Sequence, residues 1–394
     1  MRILLINHFP LAGSGSGVYT ANIANSLVNL GHEVCCIYPT NEIDKGEYRF
    51  ATHPVYFCNG DGVAPVEGAL PFNFPCFTTH PKSVMSFEAL TDEQLAMYEE
   101  TFRREIGAVV EEFKPDIIHS GHIWILADIG GEFGLPLVIT AHGTDLIGYR
   151  QSKRFHDYAE SAARKAIAII SISQANYDEI ADAMPFALDK AYIIPNGYND
   201  AVFYRQSIDR EEVLGWYGIE KKFKKIVSFA GKFTQVKGID VLLKACAKYE
   251  DDDTVTLIAG DGELFDEMTA LAEELGLKNA YFLHNQPHDK LRGIYSIADV
   301  SLAPSRLEAF GLVVIEAGAC GAPVIGTNNG GIADIITSDN GVLIDVDDVD
   351  ALAENVKKIL DGELVFDHDA VAAYTKKNYS QDQYTEQMVE KVYK

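Results

Sequence analysis

The chain alternates short, nearly continuous apolar runs with longer segments in which apolar residues recur every three or four positions. Short apolar runs are typical of strands covered on both faces, and the longer spacing is typical of amphipathic helices. In the first half the pattern predicts strands at 2–9, 33–38, 116–119, 136–141 and 166–171, and the series ends in 191–200. In the second half it predicts strands at 224–231, 254–260, 279–284, 299–304 and 322–327.

Repeated strand–helix–strand units predict parallel sheets with helices on both faces. Because the series starts twice, we expect an α/β fold of two doubly wound, Rossmann-like domains. The predicted boundaries are 1–197 for the first domain, 198–379 for the second and 380–394 for a terminal helix that crosses the join and packs on the first domain. Ligands bind beyond the carboxyl ends of such strands, so two facing sheets are expected to enclose a cleft.

Two segments between the strands differ from this pattern. Thr91 and Gln94 have capping-box spacing and open a long amphipathic helix. Residues 53–90 are rich in proline, phenylalanine and glycine, and we expect irregular loops there. Their role is left open between shaping an acceptor pocket and covering the sheet.

Composition excludes some classes of function. The 394 residues carry a formal net charge of −25, which argues against nucleic acid and, less firmly, against a broad grip on anionic lipid. No apolar run is long enough for a membrane span. The first residues form a strand pattern rather than a signal peptide, and the six cysteines have no CxxC or zinc spacing. These features predict a cytoplasmic protein with buried thiols.

The loop after the first strand contains glycines at 13, 15 and 17 before a predicted helix. A dinucleotide site requires GxGxxG and an acidic residue after the second strand, whereas this chain has GxGxG and then Tyr38-Pro39. Two interpretations remain beside this weak one. The loop is a plain turn, or it is a binding loop in which bare backbone approaches a ligand at a helix N-terminus.

Three histidines, His119, His122 and His142, lie at or just past strand ends. Their spacing fits no standard metal site. A buried, hydrogen-bonded side chain is the simpler interpretation for His119 and His122. For His142, which follows an apolar strand and precedes a glycine, a site role and a structural role are equally favoured.

Lys232 and Lys237 lie in AGKFTQVKG, between a predicted strand and a helix. Cations are poorly placed at a helix N-terminus, because that end of the dipole is already positive. A bound diphosphate would compensate this cost, and solvated surface lysines are the alternative.

Glu308 and Glu316 lie in PSRLEAFGLVVIEAGAC, after a predicted strand. With a helix starting near Gly311, Glu308 precedes it and Glu316 lies about a turn and a half into it. The free backbone N–H groups of residues 310–312 would point the same way. The arrangement suits a ligand with an anionic part near the amides and hydroxyls near the carboxylates. The acidic runs 251–253 and 345–348 are interpreted instead as solvated surface.

Taken together, these motifs resemble the family 4 retaining glycosyltransferases, which have the two-domain GT-B fold. Glu308 and Glu316 match the family's E-x7-E signature, and AGKFTQVKG resembles its basic phosphate loop. IIPNGYNDAVF resembles its domain-joining turn, and GSGSG with ITAHGTDL resembles its amino-terminal site. The similarity spans nearly the whole chain.

The resemblance implies roles for residues of the second half. Glu316 would hold the ribose hydroxyls and Glu308 those of the donor sugar. Lys232 and Lys237 would grip the diphosphate and offset charge on the leaving group. The amides of Phe310, Gly311 and Leu312 would bind sugar and phosphate oxygens.

In the first half, the resemblance places Gly15 and Ser16 against the diphosphate and His142 near the transferred sugar. The expected reaction retains the anomeric configuration, needs no metal or cofactor, and uses a nucleotide sugar, with uridine diphosphate the expected carrier. The acceptor is unidentified, and a soluble acceptor is favoured over a lipid. A nucleotide-sugar epimerase and a non-catalytic nucleotide-sugar-binding protein stay open as alternatives.

The chain departs from the family pattern at a few positions. Lys232 stands where many members have arginine, which keeps the charge and loses the fork geometry. Ala309, Gly318 and Asn199 also differ from the family's usual residues. The change at Lys232 puts the grip on the donor in doubt.

Overall fold

A computed structural model describes residues 1–13, 15–77 and 80–394 of the chain. The chain divides into two compact units. Unit 1 comprises Met1–Pro195 and Tyr384–Lys394, and unit 2 comprises Asn196–Gln383. The sequence-based domain boundaries stay a prediction.

Unit 1 is built on a parallel seven-stranded sheet with the strand order β3-β2-β1-β6-β7-β8-β9, and a separate two-stranded pair, β4 and β5. Its strands are β1 Arg2–Ile6, β2 Glu33–Thr40, β3 Ala51–Tyr56, β4 Pro75–Cys76, β5 Met85–Ser86, β6 Ile117–Gly121, β7 Leu137–Ala141, β8 Ala168–Ser171 and β9 Ala191–Ile193. Its helices are α1 Gly15–Asn29, α2 Asp92–Phe113, α3 Ile125–Gly130, α4 Thr144–Gln151, α5 His156–Lys165 and α6 Gln174–Ala183.

Both faces of this sheet are buried, as the continuous apolar runs predict. Along β1, Leu4 and Ile6 enter one hydrophobic cluster, whereas Ile3 and Leu5 enter the cluster on the other face. Alternate residues of a strand point to opposite faces, so a strand between two helix layers must be apolar throughout.

The segment 53–90 is more ordered than the sequence predicts, because β3 pairs with β2 along six residues. The sequence of β3, ATHPVY, includes Pro54 and is half exposed. This strand therefore lacks the continuous apolar run of the other strands. An edge strand tolerates proline because one side of its ladder is unpaired.

The predicted capping box is confirmed. The Thr91 side chain accepts a hydrogen bond from the Gln94 N–H, and the Gln94 side chain accepts one from the Thr91 N–H. Together they satisfy two N–H groups at the start of α2.

Unit 2 is built on a parallel six-stranded sheet with the order β12-β11-β10-β13-β14-β15. Its strands are β10 Lys225–Ala230, β11 Thr254–Ala259, β12 Ala280–Phe282, β13 Val300–Ala303, β14 Val324–Thr327 and β15 Gly341–Ile344. Its helices are α7 Arg210–Gly215, α8 Ile239–Tyr249, α9 Phe265–Glu274, α10 His288–Ile297, α11 Leu312–Ala319, α12 Gly330–Ile335, α13 Val349–Leu360 and α14 His368–Tyr379. The sequence pattern missed β15, a four-residue edge strand.

The acidic runs of unit 2 have local structural roles. Asp251 accepts hydrogen bonds from the Thr254 hydroxyl at 2.6 Å and the Asp253 N–H at 3.0 Å. Asp348 caps α13 through the Ala351 N–H at 2.8 Å. The interpretation of these runs as merely solvated surface is therefore incomplete.

The end of the chain completes the core of unit 1. Helix α15, Gln381–Met388, continues into a π-helical turn at Val389–Tyr393, and the side chains of Tyr384 and Tyr393 are buried. The Tyr393 hydroxyl hydrogen-bonds His119 Nδ1 at 2.6 Å, and the Tyr384 hydroxyl hydrogen-bonds that of Tyr19. The terminal residues thus supply polar partners as well as apolar area.

Candidate functional site

Two loops of unit 2 leave adjacent parallel strands at the same edge of the sheet. Residues 231–238 follow β10 and residues 304–311 follow β13. β10 pairs with β13 on one side and with β11 on the other, so the order of strands extends in opposite directions along the sheet from this point. Such a reversal of strand order is where ligands bind in doubly wound sheets.

The second loop is held by backbone packing. The Thr327 hydroxyl donates to the carbonyl of Ser305 at 2.6 Å, and the Gly331 N–H donates to the carbonyl of Glu308 at 3.0 Å. A Cβ at Gly330 would lie 2.0 Å from that same Glu308 carbonyl oxygen. Glycine is therefore required where α12 meets the loop.

Lys237 and Glu308 are brought into direct contact. The Lys237 ammonium donates to the Glu308 carboxylate, and the two side chains are 23% and 16% exposed. Lys237 ends a 3₁₀ turn, followed by Gly238 with φ of 65°. The pair therefore joins the two loops at a place that solvent still reaches.

Lys232 lies on the same loop as Lys237 and is exposed. Within the described residues no ion pair of Lys232 is found. The structure places it in the predicted loop without bringing it into contact with Glu308.

The loop after β13 ends at the N-terminus of α11. Gly311 is the residue before the helix and has φ of 107°, a conformation that favours glycine. No side chain caps this end of α11, and we find no partner for the N–H groups of residues 310–312 in the described chain. Such groups form a ready anion-binding surface.

Glu316 lies inside α11 and is half-buried. Burial raises the pKa of its carboxyl from 4.5 to about 8. The group is thus protonated over part of the neutral range, and it can donate as well as accept a hydrogen bond.

In unit 1, Gly15 and Ser16 are the first residues of α1. Gly15 has open space around its Cα, because an added Cβ would meet nothing within 4 Å. The Ser16 hydroxyl is buried without a hydrogen-bond partner in the described chain. The middle residue of the glycine loop, Ser14, lies outside the described residues.

His142 follows β7, and its ring lies against Tyr19 of α1, with ring centroids 4.6 Å apart in an edge-to-face arrangement. The Nε2 of His142 is buried and has no partner among the described residues. Burial lowers the pKa of His142 well below its usual 6.5, so the ring is neutral. The structure therefore brings His142 close to the helix that begins with Gly15 and Ser16.

The two other histidines differ in their partners. His119 is satisfied by the hydroxyls of Tyr393 at 2.6 Å and Thr140 at 2.7 Å, as expected for a buried, hydrogen-bonded residue. His122 is fully buried, has φ of 80°, and has no partner for either ring nitrogen within the described chain. Its ring centroid lies 4.8 Å from that of His142. His122 is therefore buried as expected, but hydrogen-bond partners for its ring nitrogens are not found in the described chain.

Sequence reasoning also missed Asp145, which is buried in the first turn of α4. Its carboxylate accepts a hydrogen bond from the Ile123 N–H at 2.9 Å, which ties α4 to the loop that carries His122. Burial raises its pKa to about 6. An acidic residue just after His142 and directly before the apolar pair Leu146-Ile147 was the available signal.

Unit 1 also contains an open cavity of about 640 Å³ beside the loops that follow β1 and β2. It combines apolar, aromatic and charged side chains, and its lining comprises Pro10, Leu11, Ala12, Tyr38, Thr40, Glu42, Ile43, Asp44, Lys45, Tyr48, Pro65 and Lys82. In its lining Lys82 pairs with Glu42 at 2.8 Å.

Two family models together match most of the chain. The model described as Glycosyltransferase Family 4 matches residues 13–202, and the model described as Glycosyl transferases group 1 matches residues 217–379. The chain belongs to glycosyltransferase family 4. Its activity class is therefore glycosyl transfer, as the resemblance predicted.

Individual relatives agree with this family. A D-inositol 3-phosphate glycosyltransferase of Corynebacterium diphtheriae is 28% identical, and the alignment covers 95% of this chain and 90% of the relative. Among solved structures, sucrose-phosphate synthase from Thermosynechococcus elongatus superposes with a TM-score of 0.75 at 21% identity, covering 99% of this chain and 98% of that one.

Anabaena HepE in complex with UDP has a TM-score of 0.74 at 17% identity, with 99% of both chains covered. These structural matches confirm the predicted GT-B fold class. Separately, none of the described helices has the length and apolar character needed to span a bilayer.

Proposed function

We propose that this glycosyltransferase moves a sugar from a uridine diphosphate carrier to an acceptor hydroxyl with retention of configuration, and that it needs no metal ion or cofactor. The observation that carries the proposal is the Lys237–Glu308 pair beside the N-terminus of α11, at the reversal point of the unit 2 sheet. The UDP named in the HepE complex supports the choice of carrier.

The proposed roles follow from the chemistry of each group. The N–H groups of residues 310–312 offer hydrogen bonds to phosphate or sugar oxygens. Lys237 and Lys232 offset the negative charge that grows on the leaving diphosphate. Glu308 accepts from donor-sugar hydroxyls and Glu316 from the ribose hydroxyls. The roles implied for Gly15, Ser16 and His142 stay predictions.

In the proposed reaction, the bond between the sugar C1 and the phosphate oxygen breaks, and a bond from C1 to the acceptor oxygen forms on the same face. The acceptor's proton passes to a phosphate oxygen of the departing diphosphate. This pathway requires no side-chain nucleophile. Binding groups that hold the acceptor hydroxyl beside the departing phosphate, on the same face of C1, supply much of the rate enhancement.

We place the acceptor in the cavity of unit 1. Its aromatic and apolar walls suit the faces of a sugar or polyol ring, while Glu42, Asp44, Lys45 and Lys82 offer partners for hydroxyl groups. The net charge of −25 favours a soluble acceptor over an anionic lipid. All six cysteines are buried thiols, which favours action in the cytoplasm.

The test is an assay of UDP release and glycoside formation with a panel of UDP-sugars and mixed acceptors. We expect Lys237→Ala and Glu308→Gln each to lower turnover by about 100-fold or more, since each removes a charge or acceptor beside the reacting groups. Lys224→Ala is the control, because Lys224 pairs with Asp253 at 2.8 Å near the opposite edge of the same sheet.

Full activity in both site variants would contradict the proposed site. Interconversion of UDP-sugars in the absence of any acceptor would favour an epimerase instead. Tight binding of UDP-sugars without hydrolysis or transfer would favour a binding protein. The product's anomeric configuration, read by NMR, tests retention, and activity that survives dialysis against EDTA tests metal independence.

A further inference from the structure

Arg306 links the two loops that carry Lys237 and Glu308. Its guanidinium Nη1 donates to the carbonyl of Gln235 at 2.7 Å, in the loop after β10. Its own backbone N–H donates to the carbonyl of Val236 at 2.7 Å. A single residue of the loop after β13 therefore holds two successive carbonyls of the neighbouring loop.

The rest of the guanidinium is anchored to two carboxylates. Nη2 lies 2.9 Å and 3.0 Å from the two oxygens of Asp240, in the first turn of α8. Nε donates to Asp347 at 2.7 Å, in the loop after β15. Asp347 itself has φ of 63°, an unusual conformation for a residue with a side chain. The contacts thus tie together three loops at one edge of the sheet.

These contacts leave the guanidinium little capacity for a ligand. Arginine has five N–H donors, and the partners in the described chain already engage all three of its nitrogens. Arg306 is therefore unsuited to bind phosphate directly, whereas Lys232, three residues before Gln235 in the neighbouring loop, is exposed and without an ion pair in the described part. Arg306, the cation nearest to Glu308 in sequence, therefore serves the structure of the loops rather than the binding of a ligand.

We propose that Arg306 is a positioning residue, which fixes the loop of Lys237 against the loop of Glu308 so that the nucleotide diphosphate meets both. This inference rests on the proposed function. The Lys237–Glu308 pair also joins the loops, but a phosphate that competes for Lys237 would weaken that link. The Arg306 contacts are made with other groups and persist when Lys237 changes partner.

Lysine cannot reproduce this arrangement, because it has one nitrogen at the end of a flexible chain. It can reach one carboxylate and cannot hold Gln235, Asp240 and Asp347 together. Arg306→Lys keeps the positive charge that Arg306→Ala removes, but it loses the fork geometry of the guanidinium. The pair of variants therefore separates an electrostatic role from a positioning role.

The control is Arg210, which makes the same kinds of contact elsewhere in unit 2. Its guanidinium donates to the Asp299 carboxylate at 2.6 Å and to the Lys224 carbonyl at 2.6 Å, near the amino end of β10. Arg210→Ala therefore loses a comparable ion pair and backbone contact at the edge of the sheet opposite the candidate site. Any general effect of losing such contacts appears in both variants.

The experiment measures UDP binding by calorimetry in the wild-type chain, Arg306→Ala, Arg306→Lys and Arg210→Ala. We expect about a 10-fold or greater rise in Kd for both Arg306 variants, and a change below about 2-fold for Arg210→Ala, at similar losses in Tm. With the preferred donor, kcat should fall further than KM rises, because misplaced loops impair the transition state more than the ground state.

Amide hydrogen exchange provides a readout independent of any ligand. Residues 234–238 should exchange faster in Arg306→Ala than in Arg210→Ala, because the guanidinium no longer holds the Gln235 carbonyl and only the backbone bond to Val236 remains. Equal exchange in the two variants, or UDP binding equal to that of the wild-type chain, overturns the inference. A wild-type chain that binds no nucleoside diphosphate overturns the proposed function, a result that the variants cannot produce.

Discussion

At the scale of single residues, the candidate site combines an ion pair between distant positions of the chain with a buried carboxyl group. Lys237 pairs with Glu308, 71 positions along the chain. Glu316 has a carboxyl whose pKa is raised to about 8 because it is buried. The residue types were predictable from the E-x7-E spacing and the lysine loop, but neither the pairing nor the burial is written in local sequence.

The raised pKa of Glu316 makes stability depend on pH. The unfolded chain loses this proton near pH 4.5 and the folded chain near pH 8, so burial of the group costs stability progressively as pH rises between these values. We expect Tm to fall from pH 5.5 to pH 8. The free energy of unfolding should decrease by at most about 1.4 kcal/mol per pH unit because of this group. Glu316→Gln removes that contribution and should flatten the curve.

Differential scanning calorimetry at a series of pH values measures the effect. Glu363→Gln is the control, because Glu363 is an exposed glutamate of unit 2. Parallel pH curves for the wild-type chain and Glu316→Gln would contradict the raised pKa.

His122 illustrates what sequence cannot reveal at this scale. A histidine after an apolar strand suggested an ordinary buried residue. The structure instead gives it a positive φ and two buried nitrogens without partners in the described chain. Both features depend on how β6 ends against β7, since the His122 N–H donates to the Thr140 carbonyl at 2.7 Å.

At the scale of elements, the buried strands were predictable because their apolar runs are continuous. The edge strands β3 and β15 were not, since β3 mixes polar residues and a proline into its run and β15 is only four residues long and begins with glycine. The helix of the E-x7-E motif was predicted to begin near Gly311, and it begins at Leu312. Element order was therefore accessible from periodicity, while the close backbone contacts between loops were not.

One such contact gives a test at the scale of elements. A Cβ at Gly238 would lie 2.0 Å from the Pro304 carbonyl oxygen, and Gly238 has φ of 65°. We expect Gly238→Ala to destabilise unit 2 by about 2 kcal/mol or more and to weaken UDP binding, because the loop of Lys237 must move away from the loop of Glu308.

Gly218→Ala is the matched control for this collision. Gly218 has φ of 69°, and nothing lies within 4 Å of the added Cβ, so only the backbone strain of about 1 kcal/mol remains. Urea unfolding compares the two variants. Equal losses of stability would show that the contact with Pro304 is unimportant.

At the scale of the whole molecule, the proposed chemistry is divided between two parallel-sheet units. The proposed donor groups lie in unit 2, and the cavity proposed for the acceptor lies in unit 1. The two-domain α/β class was predictable because the strand–helix series restarts. The cavity was not, since its lining comes from separate segments between residues 10 and 82.

This division predicts that acceptor and donor affinities can be changed separately. Ile43 lines the cavity and is 56% exposed, so Ile43→Trp should obstruct it. We expect the acceptor KM to rise by about 10-fold or more while the donor KM changes by less than about 2-fold. Steady-state kinetics with each substrate varied in turn provides the measurement.

Ile167→Trp is the control, because Ile167 is 52% exposed in unit 1 and is absent from the cavity lining. Equal acceptor KM values for the wild-type chain and Ile43→Trp would show that the acceptor does not bind in this cavity.

The last eleven residues have a consequence for the order of events during synthesis. Tyr384, Met388, Val392 and Tyr393 belong to the hydrophobic cluster of unit 1, although all of unit 2 is translated before them. The amino-terminal half therefore stays incompletely packed until these turns have been synthesised. The sequence of unit 2 is complete before that of unit 1. This order reverses the usual rule that the domain synthesised first also folds first.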